Sequence, residues 1–101
     1  MIHVIAQIDL TPNSRHKFLG EFNQIIPEVI AEAGCIEYGA AVDASTDLDR
    51  QHRNESRVTI IEKWETVEHL KAHLTAPHML SYRERVGEMI VNAQLNILEP
   101  A

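Results

Sequence analysis

The groups best suited to moving protons in this chain are gathered between Glu62 and Tyr82. That segment holds His69, His73 and His78, three of the six histidines, together with Trp64, the single tryptophan. Imidazole changes charge between about pH 5 and 8, so such a segment can house a general base or a proton shuttle. His69 and His73 are four residues apart, which sets them on one face of a helix. Two helical histidines are part of a zinc site, but zinc needs three or four ligands. No cysteine pair or second acidic-histidine pattern completes the set. No metal is therefore expected, and two solvated histidines are the plainer reading of that pair. His78 and Tyr82 repeat the spacing and share their face with Val86, an apolar position that belongs in a core. At least one of the two should point inward, as a catalytic group or as a satisfied structural one.

Glu62 is a carboxylate on an otherwise apolar strand face, between Ile60 and Trp64. Burial there would raise its pKa and make it a candidate acid or base. It reads equally as a rim residue, or as one paired with a nearby histidine or arginine. Cys35 is the only cysteine, so no intrachain disulfide forms, which fits a reducing cytoplasm. Its plainer reading is a buried, inert thiol rather than a nucleophile. The chain has no glycine-rich phosphate loop, no Gly-x-Ser-x-Gly and no dinucleotide fingerprint. If it is an enzyme, it works without a nucleotide, a flavin domain or a metal cage.

Period and punctuation give the elements that must position these groups. Residues 2–10 alternate, with Ile2, Val4, Ala6, Ile8 and Leu10 on one apolar face, the pattern of a strand. Thr11-Pro12 reads as a helix start, threonine at the cap and proline at the first helical position. Phe18, Phe22, Ile25 and Val29 continue at helical spacing, with a kink expected at Pro27 and a stop at Gly34. Residues 35–42 read as a strand with Ile36, Tyr38, Ala40 and Val42 on one face. Residues 43–56 are polar and aperiodic, a long exposed loop. Strand 57–65 follows, then helices 67–75 and 77–89 separated at Pro77, since a residue before proline avoids the α region. Strand 91–98 closes the chain, with Val91, Ala93, Leu95 and Ile97 on one face.

The order βαββαβ is the α+β, ferredoxin-like arrangement, a single domain over residues 1–101. Its 45% hydrophobic content is that of a globular chain. A net charge of -6 disfavours nucleic acid and acidic membranes as partners. No apolar run reaches the roughly 18 residues of a membrane span, and the N-terminus lacks the basic region of a signal peptide. Ile5, Ile61 and Leu98 fall on the sheet face away from the helices. A half-apolar outer face predicts a homodimer.

Four stretches carry a resemblance. They are Val4-Ile-Ala-Gln-Ile8, Glu32-Ala-Gly-Cys-Ile-Glu-Tyr38, Ile61-Glu-Lys-Trp-Glu65 and His69-Leu-Lys-Ala-His-Leu-Thr-Ala-Pro-His-Met79. Together they resemble the antibiotic biosynthesis monooxygenase family, and within it the quinol monooxygenase branch, over about residues 2 to 99. The resemblance implies a dimeric α/β barrel and a cavity between each sheet and its own helices. It implies a cytoplasmic, cofactor-independent oxidation of a quinol or small phenolic aromatic by O2, the substrate supplying the electrons. On that expectation His73 or His78 is the base and Tyr82 a hydrogen-bond partner. Trp64, Glu62, Ala6, Phe22 and Leu70 would then bind the substrate, with Trp64 as the wall that packs its ring. In the polyketide-tailoring branch an asparagine precedes the tryptophan by four residues and a tyrosine follows it by six. Here those positions hold Ile60 and Leu70, so only Trp64 carries over. Haem-degrading relatives also use a tryptophan and a histidine. Isomerases of a phosphorylated signalling ketone share the His-x-x-x-Pro-His pattern of His73 to His78, which keeps that reaction as the alternative. A non-catalytic ligand-binding dimer is the third reading.

Overall fold

The computed structural model describes residues 1–101. The chain folds as β1 (Ile2–Leu10), α1 (Arg15–Ile30), β2 (Cys35–Ala41), β3 (Arg57–Trp64), α2 (Val67–Leu74), α3 (Pro77–Val86) and β4 (Ile90–Leu98). A 3-10 turn, Gly87–Met89, leads into β4. All strand pairs are antiparallel and the sheet order is β2-β3-β1-β4. This is the ferredoxin-like arrangement, with its second helix divided at Pro77. The segment between β2 and β3 carries no helix or strand and is mostly exposed.

Alternation sets the core. In β1 and β3 every second residue is buried. Val4 lies opposite Glu62, Ala6 opposite Ile60 and Ile8 opposite Val58. Phe18, Phe22, Ile25 and Val29 of α1 close over this face. α1 packs on β2, and α2 on β3.

Two local expectations are corrected, the start of α1 and the place of Gly34. α1 begins at Arg15, not at Pro12, because Pro12 and Asn13 form a turn. The Ser14 N–H donates to the Thr11 carbonyl, and Asn13 has φ 66. Asparagine tolerates that left-handed conformation, and no helix can propagate through it. Pro27 lies inside α1, where the sequence placed it, and the helix runs on to Ile30. Gly34 does adopt a left-handed conformation (φ 80), but in the turn into β2 rather than at the helix cap. A Cβ there would run into the His69 ring.

In β2 only Tyr38 of the expected inward face is buried, while Ile36 and Val42 are exposed. The pairing with β3 shifts register between Cys35 and Glu37, which breaks the alternation. On β4, Ala93, Leu95 and Ile97 do lie opposite Ile8, Ala6 and Val4, on the helix side of the sheet. Yet Leu95 and Ile97 are about half exposed, because no helix packs over this edge strand. On the outer face Ile5 and Ile61 oppose each other, half-buried, and Leu98 is exposed.

Candidate active site

β3 presents Glu62 and Trp64 toward the helices, and the two are bonded to each other: the Trp64 indole Nε1–H donates to Glu62 Oε1 at 2.9 Å. Trp64 is fully buried and Glu62 nearly so. α2 starts directly after this strand. Its cap, Thr66, accepts from the His69 backbone N–H, and its hydroxyl also contacts His69 Nδ1 at 2.8 Å. This ties the His69 ring to the helix start. One turn later, on the same face of α2, the His73 ring enters the core, with 1% exposure. Its ring lies 4.7 Å from the Trp64 ring and 5.4 Å, edge-on, from Tyr38.

The two nitrogens of His73 meet different surroundings. Nδ1 is 2.8 Å from Glu32 Oε2. Nε2 is 3.9 Å from Glu62 Oε1, too far for a hydrogen bond. Glu32 Oε2 is also 2.8 Å from His78 Nε2, and His78 Nδ1 lies 3.5 Å from Glu28. A single carboxylate therefore joins two histidines from two helices. No group of three or more His, Cys, Asp or Glu stands in a metal-binding arrangement.

A cavity of about 260 Å³ opens beside His73. Its walls are mostly apolar, among them Ala6, Ile8, Phe18, Ile60, Met79, Val86 and Leu95. Its polar lining is Glu62, His73, Tyr38, Tyr82 and Arg83. Of the expected binding residues, Ala6 and Glu62 line it. Trp64, Phe22 and Leu70 are buried and are not among the residues that line it. Trp64 supports His73 and Glu62, and Phe22 stacks on Tyr38 at 5.2 Å. Of the two candidate bases, His73 reaches the cavity. His78 opens instead onto a separate surface notch with Ile25, Glu28, Pro77, Ser81 and Arg85.

Burial pushes the Tyr38 and Tyr82 hydroxyls far up, so both stay neutral and can donate. Burial also raises Glu62, against the opposing pull of the Trp64 hydrogen bond and of His73. Cys35 is half-buried, and burial with the charges of Glu32 and Glu62 raises its thiol, which suits an inert group. Glu32 and Arg83 were not foreseen as site residues. Glu32 lies 41 residues from His73, and no local pattern marks it.

The Glu62 shift has a measurable sign. Its folded-state value lies above the unfolded one. The stability it contributes is therefore complete below the unfolded value, about 4.3, and is lost as pH rises through the folded value. Glu62→Gln keeps an acceptor for Trp64 and removes the buried charge. The variant should match or exceed wild-type melting temperature at about pH 8, with its advantage shrinking toward about pH 5. A wild-type advantage that grows with pH would show that Glu62 is stabilised as an anion.

An antiparallel ferredoxin-like sheet, covered by helices that set an imidazole in the wall of an apolar, tyrosine-lined cavity, defines an α+β domain with a candidate small-molecule site. The chain belongs to the antibiotic biosynthesis monooxygenase family, whose sequence profile matches residues 1–85. It is 36% identical over 102 residues to "Probable quinol monooxygenase YgiN" of Escherichia coli K12, covering 99% of this chain and 98% of that protein. Its fold is similar to that of Rv0793 from Mycobacterium tuberculosis, with TM-score 0.80 and 26% identity over 99% of this chain and 94% of that one. A conserved protein from Methanosarcina mazei Go1 shares the fold, with TM-score 0.83 and 24% identity over 99% and 92% of the two chains. No helix is long and apolar enough to cross a membrane.

Proposed function

We propose that this protein is a cofactor-independent monooxygenase that oxidises a quinol or small phenolic aromatic with O2. The observation that carries the reading is the placement of His73 in the wall of a mostly apolar cavity of about 260 Å³. Similarity at 36% identity to a protein named "Probable quinol monooxygenase YgiN" supports the substrate class. The apolar walls suit a flat aromatic, and the neutral Tyr38 and Tyr82 hydroxyls suit its oxygens as donors.

His73 Nε2 removes a phenolic proton. The resulting anion is electron-rich and passes one electron to O2. The two radicals combine into a peroxide on a ring carbon. The imidazolium returns its proton as the O–O bond breaks, and water leaves while the carbon loses its hydrogen. With a naphthohydroquinone the products are a hydroxynaphthoquinone and water. One oxygen atom stays on the ring, the other leaves as water, and all the electrons come from the substrate. The protein's part is a base, an oriented slot and exclusion of bulk water.

Oxygen uptake with a reduced naphthoquinone tests this directly. Consumption of O2 above the spontaneous rate, with a hydroxylated product, is expected. Tight binding of the quinol with no acceleration would leave a non-catalytic binder. The phosphorylated-ketone alternative needs a strongly cationic pocket, and Arg83 is the one cation in a lining dominated by apolar side chains.

The same reading includes a homodimer. Leu95, Ile97 and Leu98 are each about half exposed, and Ile5 and Ile61 add apolar surface on the outer face. A second copy would cover such a surface. Sedimentation at micromolar concentration should give twice the mass of 11.5 kDa. A monomer at that concentration would remove the barrel assembly from the proposal.

A further inference from the structure

We infer that Glu32 and His78 form a clamp that fixes the tautomer of His73, holding its proton on Nδ1 and leaving Nε2 open toward the cavity. Only the catalytic value of this clamp rests on the function proposed above; the clamp itself rests on geometry. Glu32 Oε2 lies 2.8 Å from His73 Nδ1 and 2.8 Å from His78 Nε2. An ionised carboxylate can only accept, so both ring nitrogens must be donors. His73 then carries its proton on Nδ1, the reverse of a free neutral histidine side chain, which carries it mainly on Nε2. Nε2 is left as a lone pair in the cavity wall, 3.9 Å from Glu62 Oε1.

The fold builds this convergence from three separate segments. Glu32 sits just beyond α1, its N–H donating to the Val29 carbonyl at 3.0 Å. That turn holds the carboxylate under the junction of α2 and α3. His73 and His78 are five residues apart, and on one continuous helix they would diverge by about 140°. The break at Pro77 turns α3 so that both rings meet the same oxygen. His78 is the outer jaw. Its Nδ1 is 3.5 Å from Glu28, which is exposed, while Ser81 and Arg85 line the notch around it. With Nε2–H committed to Glu32, His78 keeps that carboxylate from rotating away from His73. Glu32 and His78 are thus positioning residues, acting through His73, in the way that partners of a ring N–H set the basicity of the other nitrogen.

The test is nitrogen-15 NMR of the imidazoles, without substrate, at a pH well above the ordinary imidazole value of about 6.5. In the wild type, His73 is expected as the Nδ1–H tautomer. Glu32→Ala should shift it to Nε2–H. His78→Ala should give a mixture, and His78→Gln, which retains an N–H donor toward Glu32, should restore Nδ1–H. Wild-type His73 protonated on Nε2 overturns the clamp, whatever the variants do. A pure Nδ1–H form in His78→Ala removes His78 from it. In turnover, Glu32→Ala should lower kcat about 10- to 100-fold with KM little changed, the usual effect of losing a group that orients another. The two claims fail separately. Nδ1–H with no oxygen uptake by the wild type leaves the clamp standing and sinks the proposed reaction. Nε2–H with normal uptake does the reverse.

Discussion

His73→Ala is expected to lower the rate of oxygen consumption with a reduced naphthoquinone by about 10²–10⁴-fold, the usual contribution of a positioned general base. A phenolic hydroxyl ionises near pH 10, so at neutral pH little of the substrate is the electron-rich anion that can reduce O2. His73 is the imidazole in the cavity wall, and Glu32 holds the nitrogen that faces away. The wild-type rate should therefore climb with pH as that imidazole loses its proton, and the variant should lack this limb. His78→Ala should cost much less, because His78 opens onto a different surface and acts only through Glu32. Melting curves of both variants separate a catalytic loss from a folding one. A folded His73→Ala protein with wild-type oxygen uptake and an unchanged pH profile would end the case for this residue as the base.

Trp64→Ala should carry the largest stability cost of any single truncation. The side chain is fully buried, packs on the His73 ring at 4.7 Å and donates to Glu62 at 2.9 Å. Truncating a buried aromatic to alanine costs about 3–5 kcal/mol. Leaving the Glu62 carboxylate without its donor adds about 1–3 kcal/mol. A domain of this kind has only about 5–15 kcal/mol in total. The variant should thus melt at least about 15 °C lower, at roughly 4–8 °C per kcal/mol for a chain of this length. Trp64→Phe keeps most of the packing but not the N–H, so it should fall between the two. Urea denaturation of all three proteins gives the ranking. A Trp64→Ala midpoint close to wild type would mean that the site collapses around the gap and that the indole is not its support.

Period, proline and glycine were enough to write down the order of strands and helices. β1 and β3 alternate because one face of each is sealed and the other is not, so their faces were legible in the sequence. The division at Pro77 was legible because proline acts on its own neighbours. Where α1 begins was not, because the Pro12-Asn13 turn uses a conformation that asparagine permits but does not demand. The loss of alternation in β2 was hidden too, since a register shift is a property of two strands rather than one.

The site divides in the same way. That His78 or Tyr82 turns inward followed from helical spacing, and Tyr82 does; the plainer reading of His69 and His73 as two solvated histidines is corrected, since His73 is buried. Which histidine faces the cavity did not follow from spacing, because that depends on where α2 and α3 sit against the sheet. Trp64 was legible as a site residue, but not its contacts: it is buried against His73 and bonded to Glu62 rather than among the residues that line the cavity. Open surface on β4 was invisible for a related reason: an apolar strand face reads the same whether or not a helix reaches it. Glu32 was beyond local reading altogether. The sequence by itself determined the elements, their faces and the supply of titratable groups, since these depend on backbone conformation and neighbours a few residues away. Only the tertiary structure decided which groups meet, because Glu32 is separated by 41 residues from His73 and by 46 from His78. Their convergence on one carboxylate oxygen comes from packing three helices on a single sheet.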